Sequence, residues 1–595
     1  MREAWRGLLL ALGLCAGVVR AEEEEAAVPA EEALPAEEAL PAEEDTRLPG
    51  YVEISGAPES ASDGGLRVSV ATALLRPPRG YYPLEVELHN TGSTPRVVDI
   101  GVTATTSEVR RVEVSRRQVE VGPRQRLSAW MIVPVIARNG IVRVESPGLK
   151  LRAFSFYATE GRAQPVLVLG TEKAFEEGTH LPRVEEGRLS VRFLSSENAP
   201  RELAAYVGHP RIVVAGDVTA LPADVWSALE AYAATGGLLT LLHPPRDVDL
   251  RLPLLTRSTT GVVQPYGFGQ VRLCAGAEGC ASAILADAAA MDADATLPLG
   301  PVRVASPPSR WGGYHGLNMM FPLLPGVQAP VGRFLGLITL FVLAVGPGGL
   351  LLARRKGPVA LLIAVPAVAL VTCLAFVGWS VFVEGFDLHA TRCSVTWLDR
   401  ARDRAATVGF GGYYANLEPE PFQVPVLSAL LSSDVEWESR PIEADWTRGM
   451  VVTGGFLSAR TYQEWGEVAV APSRARLGVS LEGEQLRIRN ALGAPLAEGY
   501  VRSGGGWWKL PALAEGAEGL ATRLPETTRD TVTEALRPTQ EMEQRLDRVL
   551  GRMWEPLPEG GFLARLEGPG RTFSAAIPVR LHEGVHLVRG QVDGP

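Results

Sequence analysis

The sequence predicts a multidomain protein in which a β-rich region, an α/β region and a second β-rich region flank a hairpin of two transmembrane helices. Residues 334–353 are 20 residues without a charge, and residues 359–383 are a second uncharged run of 25. Each run is long enough to cross roughly 30 Å of hydrocarbon. On either side, apolar residues alternate with polar ones at the period of a β-strand. The chain therefore divides into extramembrane regions before and after one membrane hairpin.

The orientation of the hairpin follows from two separate signals. Arg354, Arg355 and Lys356 lie in the short loop 354–358, and such basic clusters mark the cytoplasmic side. Residues 1–21 resemble a secretory signal peptide, with a basic start, an apolar stretch and small residues before Glu22. Both signals predict a bacterial inner-membrane protein with two spans, whose residues 22–330 and 388–595 are periplasmic. No ionisable residue interrupts either apolar run, which argues against transport by these helices alone.

Acidity is concentrated in one segment. Residues 22–45 contain ten Glu, one Asp and no Lys or Arg, so a net charge of −10 for the chain leaves about +1 for everything else. The segment repeats the letters PAEEAL, which predicts a disordered linker over residues 22–50. The nearly neutral remainder argues against a nucleic-acid partner, which would need a basic face.

Residues 51–160 are predicted to form a β-sandwich. Alternating strands are expected at 66–70, 84–89, 109–121 and 141–144, with a turn after Asn90. The stretch from Gly80 to Gly92 resembles the strand-and-turn pattern of immunoglobulin-like envelope modules, which usually act as spacers or binding surfaces.

Residues 161–325 are predicted to form an α/β domain. Apolar strands are expected at 166–169, 190–194, 211–217 and 238–242, the third of them ending in a Gly-Asp turn. A helix runs from Leu221 to Ala234 and is followed by Gly236 and Gly237. In parallel sheets ligands bind beyond the carboxyl ends of the strands. Asp217 and His243 lie near two of these ends, and we expect them either to line a ligand crevice or to serve as cap and turn residues.

The order strand, Gly-Asp, helix, Gly-Gly, strand resembles the class I glutamine-amidotransferase-like domains. Those enzymes use a cysteine nucleophile in a tight strand-to-helix elbow, assisted by a histidine. No Gly-x-Cys-x-Gly elbow occurs here, and His243 is followed by two prolines. The resemblance thus implies a non-catalytic relative, with no catalytic residue and no cofactor.

Cys274 and Cys280 lie in the loop CAGAEGC of the same region. In an oxidising compartment a local disulfide is expected between them. A zinc pair is the alternative, although no second pair of ligands lies nearby in sequence. Cys393 remains as an odd thiol.

Residues 388–595 are predicted to form a β-rich domain with one amphipathic helix over 540–553. His582-Glu583-Gly584-Val585-His586 matches H-E-x-x-H, which binds zinc only on a helix. The flanks read as strands and Gly584 disfavours a helix, so we expect a hairpin turn at Glu583-Gly584 and no metal site. Gly504 to Gly506, before Trp507 and Trp508, predict a second hairpin turn rather than a phosphate loop.

The domain order as a whole resembles a family of uncharacterised bacterial two-span membrane proteins with a periplasmic immunoglobulin-like β-sandwich and an amidotransferase-like domain. The residues that carry this resemblance are Asn90, Gly236, Gly237, Gly346, Pro347, Pro366 and Asn490. It implies architecture and location but no activity. We therefore expect a non-enzymatic envelope scaffold or accessory subunit with a membrane-protein partner. A periplasmic ligand-binding or sensing module and an amidotransferase-like hydrolase are the alternatives.

Overall fold

The computed structural model describes residues 50–105, 111–159, 164–255, 261–274, 280–285, 323–324, 331–379, 387–432, 441–525, 529–568, 570–571 and 578–593. These residues form four β-sheets and two long apolar helices. The predicted signal peptide and nearly all of the acidic linker lie outside the described residues.

Ten strands precede the α/β region. They are β1 Tyr51–Glu53, β2 Glu59–Asp63, β3 Leu66–Val70, β4 Ala73–Leu75, β5 Tyr81–Asn90, β6 Arg96–Thr105, β7 Arg111–Val121, β8 Arg126–Pro134, β9 Asn139–Glu145 and β10 Phe154–Thr159. Strands β2, β3, β5 and β8 form a four-stranded sheet in the order β2-β3-β5-β8. The predicted strands 66–70, 84–89 and 141–144 are confirmed, because each lies inside an observed strand.

The α/β region contributes strands β11 Gln164–Leu169, β12 Leu189–Leu194, β13 Arg211–Val214, β14 Leu238–Leu241, β15 Val263–Tyr266 and β16 Gly269–Leu273, and helices α1 Glu172–Thr179, α2 Ala223–Ala234 and α3 Val248–Arg251. The sheet order is β1-β12-β11-β13-β14-β16-β15, in which only β15 is antiparallel to its neighbour. Strand β11 is buried on both faces: Val166 and Val168 pack with Phe175 of α1, whereas Leu167 and Leu169 share a core with α2.

Two glycines set the approach of α2 to the sheet. Gly236 has a φ of +134°, which other residues rarely adopt, and a Cβ at Gly237 would lie 2.1 Å from the ring of Tyr232. The Gly-Gly pair therefore permits a turn that side chains would block.

The apolar hairpin consists of α4 Val331–Leu343, a π-helical segment Ala344–Gly348, α5 Gly349–Lys356 and α6 Val359–Trp379. Leu335–Lys356 and Val359–Gly378 are long and apolar enough to cross a membrane. Pro347 lies inside the π-helical segment, where a widened turn accommodates the missing N–H group. Gly349 is buried and a Cβ there would come within 3.2 Å of Leu361. The small residue thus brings the two helices close together.

The basic cluster was predicted to lie in a loop, but the structure places it in a helix. Arg354, Arg355 and Lys356 form the last turn of α5, and Gly357 ends the helix with a φ of +85°. Cations at a helix carboxyl end are stabilised by the helix dipole, so the helix continues through them. The connection is therefore Gly357-Pro358 alone.

The region after the hairpin contains strands β17 Leu388–Asp399, β18 Arg404–Ala415, β19 Phe422–Val424, β20 Ser428–Ser432, β21 Glu443–Asp445, β22 Met450–Gly454, β23 Tyr462–Pro472, β24 Arg476–Glu482, β25 Gln485–Ala491, β26 Leu496–Ser503, β27 Gly506–Leu510, β28 Glu518–Leu524, β29 Gly561–Leu566 and β30 Arg580–Gln591, and helices α7 Arg529–Leu536 and α8 Gln540–Met553. Eleven of these strands form one sheet in the order β20-β23-β18-β17-β30-β29-β26-β27-β28-β25-β24. The predicted helix over 540–553 is confirmed, and its apolar face is buried in the core.

Strands from both sides of the hairpin share one sheet. Its order is β19-β22-β21-β7-β6-β9-β10-β4, and Ala444 of β21 pairs in parallel with Ser115 of β7. This sheet and the sheet β2-β3-β5-β8 enclose one apolar core. The predicted domain boundaries at residues 51 and 388 therefore do not coincide with the boundaries of the sheets. Strand β1 joins the α/β sheet. Strands β19, β22 and β21 join the sheet that contains β7. Both differences arise from pairing between residues far apart in sequence.

Candidate functional site

The predicted crevice of the α/β region is expected where the chain changes direction across the sheet. From β11 the chain crosses to β12 on one side and then returns to β13 on the other, with α1 and α2 on opposite faces. The carboxyl ends of β11 and β13 are followed by Gly170 and by Gly216-Asp217. A Cβ at Gly216 would meet no heavy atom within 4 Å, so this edge of the sheet is open.

Asp217 serves as a cap. Its carboxylate accepts hydrogen bonds from the backbone N–H of Thr219 at 2.8 Å and from the Thr219 hydroxyl at 2.7 Å, at the start of the turn Val218–Ala220. These two bonds hold the pKa of Asp217 below its usual range, with smaller contributions from Arg251 and His243. Because Asp217 is exposed and its carboxylate is engaged by the turn, a structural role accounts for it.

His243 follows β14 and is exposed. A Cβ at Gly178, near the end of α1, would lie 3.6 Å from its Nε2 atom. His243 also contributes to the lowered pKa of Asp217, so the two predicted residues face the same edge of the sheet. The residues that directly follow β11, β13, β14 and β16 are Gly170, Ala215, Leu242 and Cys274, and none of them offers a free nucleophile. Strand β12 differs, because it is followed by the exposed Ser195.

Cys274, which directly follows β16, is joined to Cys280 in a disulfide, with the two Cα atoms 5.8 Å apart. Both residues are buried in the core between α1 and the sheet. A thiol held in this way is not available as a nucleophile or as a zinc ligand. Within the described ranges, no group of three or more His, Cys, Asp or Glu side chains could hold a metal ion.

The H-E-x-x-H stretch lies within strand β30, which runs without interruption from Arg580 to Gln591. The expected hairpin turn at Glu583-Gly584 is therefore wrong. Strand β30 pairs in parallel with β17, and this long pairing outweighs the local turn preference of Glu-Gly. His582 and His586 therefore lie on a strand and not on a helix of the kind that zinc proteases use. The hairpin turn at Gly504-Gly505 is confirmed, with φ angles of +61° and +71° between β26 and β27.

The two histidines of this stretch have different environments. His586 is buried, and its Nδ1 lies 2.6 Å from the hydroxyl of Ser394. Burial lowers the pKa of His586 to about 3, so the ring is neutral. His582 is exposed, and its Nε2 lies 2.8 Å from the Nδ1 of His389. No local pattern predicted this pair, because 193 residues separate its members.

Comparisons with known proteins do not extend this description. No family model and no curated protein matches the chain. Among solved structures, the yeast delta-COP-I mu-homology domain complexed with a Dsl1 WxWxV peptide is 10% identical, with a TM-score of 0.17 over 35% of this chain and 98% of that one. A glycosyl hydrolase family 2 member from Bacteroides cellulosilyticus DSM 14838 is 7% identical, with a TM-score of 0.13 over 90% of this chain and 79% of that one. Likenesses at this level carry no argument about fold or function.

The α/β region also forms an interface with the eleven-stranded sheet. Arg404 of β18 reaches Glu230 of α2 through two nitrogen–oxygen contacts of 2.8 Å, and it also contacts Asp399 at 3.1 Å. The hydroxyl of Tyr266 donates to Glu230 as well. Burial works against the charge on Arg404, but the two carboxylates outweigh it and raise its pKa.

Aromatic side chains extend the same interface. Phe268 packs edge-on against Trp397 at 5.9 Å between ring centroids, and the guanidinium of Arg589 lies 4.9 Å from the Trp397 ring. Arg552 of α8 donates to the carbonyl of Gly267. The interface thus combines a cluster of ion pairs with apolar burial, as permanent contacts between domains do.

Proposed function

We propose that the protein is a non-enzymatic scaffold or accessory subunit of the bacterial inner membrane, anchored by its hairpin and presenting its extramembrane regions on the periplasmic side. The observation that carries the proposal is the sheet shared by β7 and β21. Residues paired in one sheet lie on the same side of a membrane, and two spans between them satisfy that condition. Arg354 to Lys356 at the connection support a cytoplasmic turn.

The α/β region is, on this proposal, a non-catalytic amidotransferase-like domain. Support comes from its parallel strands with helices on both faces and from the residues that follow four of these strands. Gly170, Ala215 and Leu242 carry no nucleophile, and Cys274 is in a disulfide. The domain then serves as a structural platform, and its packing against β18 through Arg404 and Glu230 supports that role.

Orientation is tested by labelling single cysteines in spheroplasts with a membrane-impermeant maleimide. In a chain carrying Cys373→Ser and Cys393→Ser, we would introduce Lys173→Cys, Glu482→Cys or Lys356→Cys at exposed sites. Labelling is expected for positions 173 and 482 before lysis and for position 356 only after lysis. Labelling of 173 and 482 on opposite sides of the membrane would refute the proposal.

The scaffold role is tested by crosslinking in intact cells, followed by purification through a C-terminal tag in mild detergent and mass spectrometry. A membrane protein recovered in stoichiometric amount is the expected result. Recovery of the chain alone, with the crosslinker shown to work on a known complex, would contradict the role as an accessory subunit.

A ligand-binding module is the second candidate, and the open space at Gly216 favours it. Thermal-shift screening of the full chain against small envelope metabolites would test it, with Gly216→Trp as the variant that fills the crevice. A shift that Gly216→Trp abolishes would support a ligand site, whereas a shift that persists would place the ligand elsewhere.

A further inference from the structure

We propose that His389 and His582 form a binding site for a divalent transition-metal ion of the Zn²⁺ or Cu²⁺ class. The site is independent of the scaffold role, and its two ligands come from the beginnings of β17 and β30. The imidazoles face each other with 5.0 Å between ring centroids and 2.8 Å between Nδ1 of His389 and Nε2 of His582.

A β-bulge brings the two rings together. In the parallel pairing of β17 with β30, Ala390 pairs with Leu581 and Thr391 pairs with Glu583. His582 is therefore the extra residue and has no partner in the register. Bulges re-aim side chains, and this one turns the His582 imidazole onto the ring of His389.

The geometry requires little adjustment for a metal. Two nitrogen ligands of one tetrahedral zinc ion, each at about 2.0 Å, are about 3.3 Å apart. The observed separation of 2.8 Å is close to that value, and the rings are exposed enough for water to complete the coordination. Whichever ring donates the present hydrogen bond moves its proton to its other nitrogen, so both lone pairs become available without loss of a proton from the protein.

Charged side chains of both signs lie near the pair. Arg580 and Asp387 act on His389 in opposite directions. Asp387 supplies a negative charge near the proposed ion and partly offsets Arg580. The His586 ring belongs to a different environment, because it is buried beside Ser394.

The test uses the full chain in detergent, purified through a tag without histidine and titrated with Zn²⁺ by equilibrium dialysis. The wild type is expected to bind one Zn²⁺ per chain in the micromolar range. His389→Gln and His582→Gln are each expected to lose at least tenfold in affinity. His180→Asn is the control: His180 is exposed, lies outside this pair, and has a φ of +53° that Asn tolerates.

A second measurement uses Cu²⁺ and electron paramagnetic resonance, which identifies imidazole nitrogens bound to the ion. Two such nitrogens are expected in the wild type, and one or none in either glutamine variant. Melting temperatures without metal show whether the variants are folded. Binding only at millimolar Zn²⁺, or equal binding by wild type and both glutamine variants, would overturn the proposal.

Discussion

Arg404 and Glu230 form a two-contact ion pair between residues 174 positions apart in sequence, with the apolar hairpin between them. The side chain of Glu230 is 1% exposed and that of Arg404 is 19% exposed. A charge buried to this extent is costly without its partner. The pair therefore fixes the α/β region against the sheet that follows the hairpin.

Replacement of Glu230 by Gln is expected to lower the free energy of unfolding by about 3 kcal/mol, because Arg404 keeps its charge and loses its principal partner. Chemical denaturation of the full chain in detergent measures the loss. Glu482→Gln is the matched control, since the Glu482–Arg487 pair is largely exposed and should change stability by less than about 0.5 kcal/mol. Equal effects of the two substitutions would contradict the assignment of Arg404–Glu230 as a buried pair.

Asn90 and Asn490 are expected to be equally intolerant of substitution. Each is fully buried, its Nδ2 lies within hydrogen-bonding distance of three backbone carbonyls, and its Oδ1 accepts from an N–H two residues ahead. Alanine at either position should cost about 2–3 kcal/mol, because carbonyl groups are left without donors. Thermal unfolding would measure this cost. The exposed Asn139→Ala should leave the melting temperature nearly unchanged.

Acidic pH is expected to destabilise the protein partly through His209 and His586. Burial lowers the pKa of each to about 3 from 6.5. Below pH 6.5 the unfolded chain takes up protons that the folded chain does not, so stability falls as the pH drops toward 3. At pH 5 the loss is about 2 kcal/mol for each histidine. Unfolding of His586→Gln at pH 7 and pH 5 measures the effect: its loss between the two should be smaller than that of the wild type, and an equal loss would contradict the prediction.

Loss of the Cys274–Cys280 bond is expected to destabilise the protein by about 2 kcal/mol, the value for so short a loop. The double variant Cys274→Ser and Cys280→Ser should show this loss in denaturation. Alkylation of the wild type from cells, with and without reductant, reports whether the bond forms there. Two additional alkylated thiols only after reduction are expected, and alkylation of both without reductant would argue against an oxidising location.

Local signals in the sequence were sufficient to predict several of the helices and strands. Charge-free length identified α6, helical spacing identified α8, and period-two alternation identified β3 and β5. The strands with which each strand pairs could not be predicted from local signals. The pairing of Ser115 with Ala444 depends on contacts across more than 300 residues, and the Glu583-Gly584 turn failed for the same reason. Asp217 and His243 were correctly located near strand ends, whereas His389 carried no local feature that linked it to His582.

On the proposed topology, the shared sheet has a consequence for biogenesis. Strand β7 would be synthesised and exported before β21 exists, so its outer edge would remain without a strand until both apolar helices had been inserted. Open edges of this kind invite pairing with other chains. Arg116 and Arg117 lie on β7, and charged residues on an edge strand oppose such pairing. On that topology, completion of the sheet that holds β7 would wait for insertion of the hairpin.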